Sequence, residues 1–349
     1  MPAVSVDLLD ASAAMLAYEC CKNIDTPYAS LDYVRAYQSR DFAASQHAVA
    51  RRDGEVVALL SLVIEHRCIR ILNRLTPLQP DVFQELVAFI FKQFPASRRI
   101  EFEGVYAPSI PVASAVPLRA WVASNDFIVQ LPESVPTYMT VFGSKTQKNL
   151  RYCANRLKRE HPSAAFEVVS GTEIDASIVS SVVRLNHLRM RKKGRKSAMD
   201  AAYERNLHGL LQQRGIAVVI RDEDRVLAGV LCTRIHSGWS LHVISHDPEF
   251  NHLRLGLLCL LRVIEQAIEC RAYRFHFLWG ESDYKKLFGA RRHDLYSLRC
   301  YRTSLAKWFS VPDQIEKVRS ELAVSMPVRE AKRLLRFVRD RAARMSFRS

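Results

Sequence analysis

The stretch FHFLWGESDYKKLFGA, residues 275–290, sets a phenol (Tyr284), two ammonium groups (Lys285 and Lys286) and two carboxylates (Glu281 and Asp283) within six consecutive positions. A phenol can protonate a basic leaving group, an ammonium can hold negative charge, and a carboxylate can take up a proton. The cluster comes after Phe275, Phe277 and Trp279, which alternate with His276 and Leu278 as a strand would, until Gly280 breaks the run. A strand ending at the carboxyl edge of an α/β sheet delivers the next residues of the chain to the crevice where such folds bind ligands. The same residues also read as an amphipathic turn, with Tyr284 and Phe288 capping a core and the lysines in solvent. Residue types alone leave both readings open.

The chain around this cluster has 349 residues, 48% hydrophobic and 25% charged, the balance of a folded protein large enough for two domains. No run reaches the ~18 apolar residues of a spanning helix, and the start, MPAVSVDLLDASAAM, lacks the basic opening of a signal peptide. The expected location is the cytoplasm. Eight cysteines form no CxxC pair, and the eleven histidines form no HExxH pattern, so no metal site is expected. The net charge of +15 is concentrated. Residues 329–349 hold eight Lys or Arg against two acids, and Arg184–Lys196 holds seven with no acid. Such surfaces attract phosphorylated cofactors, nucleic acid or an anionic membrane.

Periodicity supplies the elements that must position the cluster. HAVARRDGEVVALLSLVIEHRCIRILN predicts a hairpin turning at Asp53–Gly54. DVFQELVAFIFKQF predicts a helix, with Asp81 as its N-cap, and RRIEFEGV a strand. The order returns in GIAVVIRDEDRVLAGVLCTRIHSGWSLHVISH as three strands, LRLGLLCLLRVIEQAIEC as a helix and YRFHFLW as a strand. Two copies of one plan predict a duplicated α/β fold. KTQKNLRYCANRLKRE between them is a basic amphipathic helix, and RMRKKGRK predicts a mobile loop around Gly194.

KTQKNLRYCANRLKRE and FHFLWGESDYKKLFG together resemble the Fem-like and CelD-like branch of the GNAT acyltransferase superfamily. Gln147 stands where the branch has Arg, His276 where it often has Asp, and Gly256 keeps only the first glycine of the phosphate signature. The resemblance implies tandem GNAT-like α/β domains, each a mixed twisted sheet flanked by helices. The expected divisions are a degenerate copy over 1–130, the transferase domain over 131–304 and a basic helical tail over 305–349. It implies acyl-CoA, most simply acetyl-CoA, as co-substrate. The donor would lie between two splayed strands, held by Ile244, Ser245, Arg254, Leu255, Gly256, Leu257 and Leu258, with the helix N-terminus toward the pyrophosphate.

On that reading Tyr284 protonates the departing sulfur, and Lys285 stabilises charge or anchors a phosphate. Glu281 or a histidine, His246 or His242, accepts the amine proton. Lys145, Lys148, Arg151, Arg156, His276 and Asp283 face substrate. The acceptor is a small or lipid-linked amine: an amino sugar, amino acid or envelope precursor. The face carrying Leu334, Leu335, Val338, Ala342 and Met345 would dock on the body or, through 328–349, on an anionic membrane. Two other readings keep the fold: a Fem-type transferase fed by aminoacyl-tRNA, and a degenerate scaffold that binds nucleic acid or membrane.

Overall fold

The computed structural model describes residues 3–106 and 116–308, together with 310, 313, 315 and 317. In chain order the first elements are β1 (Val4–Leu9), α1 (Ala11–Cys20), α2 (Leu31–Tyr37), α3 (Ser39–Ala43), β2 (Gln46–Arg52), β3 (Glu55–Glu65), β4 (Cys68–Ile71), α4 (Pro80–Gln93), β5 (Arg99–Tyr106) and β6 (Leu118–Gln130). After them come α5 (Val135–Met139), α6 (Ser144–Glu160), β7 (Ala165–Ser170), α7 (Ala176–Lys192), α8 (Ala201–Arg214), β8 (Gly215–Asp222), β9 (Arg225–Ile235) and β10 (Gly238–His246). The last are α9 (Leu255–Glu269), β11 (Arg274–His276), α10 (Asp283–Leu287), β12 (Arg291–Tyr301) and α11 (Ser304–Trp308).

Local chemistry sets many of these boundaries. Asp53 and Gly54, both at positive φ (50° and 82°), close a two-residue turn that leaves Arg52 paired with Glu55. Side chains of Asp10, Ser30, Asp175 and Asp200 each accept a backbone N–H three residues on and so start α1, α2, α7 and α8. α4 starts two residues earlier than Asp81 as its cap would place it, because Pro80 takes the first helical position and Gln79 is the cap.

Contacts divide the chain into two compact units. The first holds Met1–Cys21, Ala44–Asn125 and the described residues from Asp294 onward; the second holds Lys22–Ala43 and Asp126–His293. The first unit orders its strands β1-β2-β3-β4-β5-β12, and the second β6-β11-β10-β9-β8-β7. Each sheet is mixed, because β4 and β5 are parallel in one, and β10 and β11 in the other, beside antiparallel neighbours. A helix links each parallel pair, α4 in the first unit and α9 in the second. The architecture is therefore the expected mixed α/β one, with helices against twisted sheets.

The two units differ from contiguous halves in a definite way. β6 succeeds β5 in the chain yet pairs with β11, Gln130 opposite Arg274. β12 succeeds β11 yet pairs with β5, Leu298 opposite Phe102. Residues 22–43 belong with the second unit. A domain read as an unbroken span cannot express such exchanges.

In the second unit α9 buries Leu258, Leu260, Val263, Ile264 and Ile268 on one face of the sheet. Val179, Val182, Val183, Leu207 and Leu211 of α7 and α8 cover the other. Each such side chain contributes about 1.5–3 kcal/mol by leaving water. RMRKKGRK is not mainly a loop: α7 runs to Lys192, and Gly194 (φ 64°) lies just past its end. Among the described residues no helix is long and apolar enough to cross a membrane. The tail face from Leu334 to Met345, with the membrane contact expected over 328–349, lies outside the described residues.

Candidate active site

β10 and β11 pair over three positions, Gly238 with Arg274, Trp239 with Phe275 and Ser240 with His276. β10 then continues to His246 along β9. The other chain turns away, since the Phe277 N–H donates to the Phe127 carbonyl (2.8 Å). The strands part after Ser240 and His276, and a strand edge without a neighbour can offer its backbone to a ligand.

The register along β9 slips between Leu241 and Val243, so His242 is a bulge residue. Unbroken alternation would put His242 and His246 on one face, as the sequence suggests; the bulge separates them. His242 Nε2 lies 2.9 Å from Thr233 Oγ1 and its Nδ1 3.4 Å from the Tyr28 hydroxyl, whereas His246 Nε2 lies 2.7 Å from Asn251 Oδ1. Burial lowers His242 to about 4. Burial also lowers His246, against the opposing hydrogen bond to Asn251. Both imidazoles are neutral at pH 7.

Below the parted strands α9 begins at Arg254, whose left-handed backbone (φ 50°) turns the chain into the helix. The first turn of α9 contains no acid, and its leading N–H groups present the positive end of the helix dipole. Gly256 eases the close packing of α9 on β10, since a Cβ there would stand 3.2 Å from His246 Nδ1, a tight contact, and 3.5 Å from Ile244 Cγ1. A cavity of about 230 Å³ results, walled by Ile244, His246, Arg254, Gly256, Leu257 and Tyr284, with Arg189 entering from α7. The Arg189 guanidinium also donates to the Ile244 carbonyl (3.3 Å). The start of α4 in the first unit is chemically unlike this one, with Pro80 and then Asp81, a carboxylate already paired with Arg52.

A second cavity, of about 370 Å³, shares Ile244 and Tyr284 with the first. Its far wall is aromatic: Tyr28, Tyr33 and Tyr37 from the Lys22–Ala43 segment, Tyr203 from α8, and Trp279. Ring centroids lie 4.5 Å apart for Tyr28–Tyr33, 4.6 Å for Tyr33–Tyr37 and 4.7 Å for Tyr28–Trp279. Arg274 donates to Asp25 (2.9 Å) and Arg214 to the buried Asp32 (3.3 Å), which fasten this segment to the unit. Gly238 seats it, because a Cβ there would fall 2.0 Å from the Asp25 carbonyl oxygen.

Tyr284 stands in α10 where both cavities meet its side chain. Burial pushes its phenol up to about 12, against the field of Arg189. Lys285 is only 2% exposed and lines the aromatic cavity. Its ammonium donates to the carbonyls of Leu278 (2.7 Å) and Trp279 (2.8 Å) and lies 5.1 Å from the Phe127 ring centre. Burial lowers it to about 8. A lysine engaged in this way holds the turn after β11 and does not reach out to anchor a phosphate, which corrects that expectation.

His276 is likewise no substrate contact. It is 1% exposed, with Nδ1 2.8 Å from Asp126 Oδ2 and Nε2 3.5 Å from Asp25 Oδ2. Burial opposes its charge, but the hydrogen bonds and fields of Asp126 and Asp25 outweigh that and lift it to about 9. Glu281 is exposed, 4.0 Å from Arg292, and lines neither cavity; Asp283 is exposed at the start of α10. Ser245 is fully buried on β10, and its Oγ has no hydrogen-bond partner among the described residues. Leu255 and Leu258 are core residues. Lys145, Lys148 and Arg151 lie exposed on α6, and Arg156 pairs with Glu160 (2.5 Å). None of these four lines either cavity. The structure thus brings together Tyr284, Lys285, Ile244, His246, Arg254, Gly256 and Leu257. It adds Arg189, Asn251 and the tyrosines, of which Tyr28, Tyr33 and Tyr37 are detectable as phenols spaced five and four residues apart.

Residues 144–286 match the family model of the acetyltransferase (GNAT) domain. The match runs from the start of α6 into α10 and so takes in the lining of both cavities except for the tyrosines at 28, 33 and 37. No curated protein matches the sequence. Among solved structures, FemX is similar with a TM-score of 0.64 at 10% identity, over 87% of this chain and 99% of that one. A C-terminal domain (DUF2156) described as that of a putative lysylphosphatidylglycerol synthetase from Agrobacterium fabrum is similar at 0.56 and 13% identity, over 86% and 95%. A conserved protein of unknown function from Bacteroides thetaiotaomicron is similar at 0.54 and 10%, over 86% and 100%. These are likenesses of fold.

Proposed function

We propose that the second unit is an N-acyltransferase, moving an acyl group from a thioester, most simply acetyl-CoA, to the amine of an amino sugar, amino acid or envelope precursor. The observation that carries this reading is that one phenol, Tyr284, borders both a helix-start cavity and an aromatic cavity. A transfer enzyme needs that arrangement, donor on one side and acceptor on the other with a proton donor between them.

The donor side suits acyl-CoA on chemical grounds. Gly256 leaves room that any Cβ would fill, α9 has no acid in its first turn, and Arg254 and Arg189 supply positive charge for a pyrophosphate. The bound thioester supplies an electrophilic carbonyl and a thiolate leaving group. In the transfer the amine nitrogen forms the new C–N bond, the C–S bond breaks, and the Tyr284 hydroxyl gives its proton to the sulfur. High phenol basicity keeps that proton in place until the thiolate develops. The amine proton passes toward neutral His242, which is hydrogen-bonded to Tyr28 in the aromatic cavity. Glu281, outside the cavities, would take it only through solvent.

A second reading replaces the thioester with aminoacyl-tRNA. It is favoured by the exposed row Lys145, Lys148 and Arg151 on α6 and by the net charge of +15. Thermal unfolding in the presence of acyl-CoAs of increasing chain length, combined with thiol release on adding amines, tests the first reading. A rise in Tm and thiol release support it. If no acyl-CoA raises the Tm and no amine releases thiol, the thioester reading fails. Protection by charged tRNA that falls steeply with salt would then support the second.

A further inference from the structure

The lining of the aromatic cavity discriminates between amines. Among the described residues no carboxylate lines it, so a polyamine, or any acceptor bringing a second cation, finds no counter-ion there. It offers no available cation either, because Lys285, the sole Lys or Arg among the described lining residues, already gives hydrogen bonds to two backbone carbonyls. An amino acid or phosphate entering the cavity would lose water around its anion without gaining a charged partner. His242 adds an uncharged imidazole. What remains is a wall of ring faces interleaved with neutral hydroxyls, those of Tyr33, Tyr37, Tyr203 and Ser282 among them. The Tyr37 hydroxyl is buried with no hydrogen-bond partner among the described residues, and a ligand hydroxyl that reached it would offset its desolvation. Ring faces that stack on C–H bonds and hydroxyls that exchange hydrogen bonds are the complement of a polyhydroxylated ring. A fatty acyl chain would satisfy the faces and strand the hydroxyls.

We infer that the aromatic cavity binds the uncharged, hydroxylated ring of a monoamino sugar, whose amine is the group acylated. The inference rests on the acyl-transfer reading and narrows its acceptor. The amine sits on the sugar, so any nucleotide or lipid attached to the ring lies outside the cavity.

The experiment uses the full chain and two separate readouts, Tm with acetyl-CoA alone and thiol release from acetyl-CoA with each of a set of amines. The set is glucosamine, glucosamine linked to UDP, glutamate, lysine and spermidine. The expected result is a Tm rise with acetyl-CoA, and thiol release at least about tenfold faster with either form of glucosamine than with the other amines. The ratio between the two forms tells whether the ring is met free or carried. Tyr33→Ala and Tyr37→Phe should each raise the KM for glucosamine about tenfold or less, with the KM for acetyl-CoA unchanged, since a single stacked ring or hydroxyl contributes about 1 kcal/mol. Faster release with glutamate, lysine or spermidine overturns the inference and leaves the transferase reading standing. So does a Tm rise with acetyl-CoA accompanied by no release from either glucosamine form. Absence of any Tm rise and of any thiol release would instead overturn acetyl-CoA as the donor, the reading on which this inference rests.

Discussion

The ammonium nitrogen of Lys285 stands 2.7 Å from the carbonyl oxygen of Leu278, a residue held at φ 57° between strand β11 and the turn at Gly280. A left-handed leucine is disfavoured by its own Cβ, and it persists only where neighbours hold it. Lys285 is itself nearly dehydrated, which lowers its pKa to about 8. Replacing it by Met keeps the volume and leaves the buried carbonyl of Leu278 and the part-buried one of Trp279 without this donor. Lys285→Met should therefore lose about 3 kcal/mol of stability in urea unfolding, and Lys285→Gln, which can still donate, clearly less. Equal stability of wild type and Lys285→Met would show that the ammonium does not hold this turn.

Tyr284→Phe removes one oxygen from the place where the two cavities meet. If the phenol protonates the leaving sulfur, kcat should drop by about 10²–10⁴, the usual worth of a positioned general acid. The Tm rise given by acetyl-CoA should stay as in wild type, because the ring and its contact with Phe277 (6.2 Å between centroids) remain. The pH profile adds an independent check. With the phenol raised to about 12, no alkaline loss of rate should arise from Tyr284 between pH 7 and about 10. Undiminished kcat in the variant would remove the phenol from the chemistry.

How far the sequence reveals this site depends on how local each determinant is. α9 and strands β8 to β10 come from apolar periodicity, and the Asp53–Gly54 turn from two residues. Gly256, Arg254 and Tyr284 are legible because a helix start and a strand end are marked within a few positions. His276 reads as a substrate contact because its partner Asp126 lies 150 positions away in the chain. Lys285 reads as a reaching cation because nothing in DYKKL says that the preceding turn exposes carbonyls to it. The bulge at His242 leaves no mark in SLHVISH, yet it decides which histidine meets which cavity. The tyrosines of residues 22–43 show their spacing in the sequence but not their place in the site, because they join it only through a tertiary return fastened by Asp25 and Asp32. β12 escapes it because the strand opens on the charged run RRHD, and β6 because its alternation is broken by Ser124, Asn125 and Asp126.

Gly256→Val tests the donor side, since Gly256 lines the helix-start cavity and not the aromatic one. A Cβ at that point already lies within 3.2 Å of His246 Nδ1, and the two further methyls of valine would enter the space between α9 and β10. The half-exposed imidazole of His246 can yield, so the expected loss of stability is modest, about 1 kcal/mol, near the cost of a β-branched residue in a helix start plus a crowded contact. The KM for acetyl-CoA should rise about tenfold or more while the KM for the amine changes little. A parallel rise in both would mean that the helix start is not where the donor sits.

The buried group Asp25–His276–Asp126 should make stability depend on pH. His276 has its folded-state pKa raised to about 9, above the ~6.5 of an unfolded histidine. Stabilisation by the imidazolium is therefore complete below about pH 6.5 and is lost as pH rises toward 9. The groups facing it are Asp126 from β6, Asp25 from the 22–43 segment, Arg274 from β11 and, more distantly, His293. The window from about pH 6.5 to 8 isolates its effect. The lowered histidines, His47, His242, His246 and His293, titrate on the acid side of that window, and Lys285, lowered to about 8, adds stability only above it. Wild-type stability in urea should fall by about 1–2 kcal/mol between pH 6.5 and 8. His276→Asn should be less stable at both values, since it leaves Asp126 buried without its cation, and should lose the pH slope. A slope that survives the substitution would place the titrating group elsewhere. Because Asp25 carries the segment that bears Tyr28, Tyr33 and Tyr37, the same titration should raise the acceptor KM in step with the loss of stability, with the donor KM unaffected.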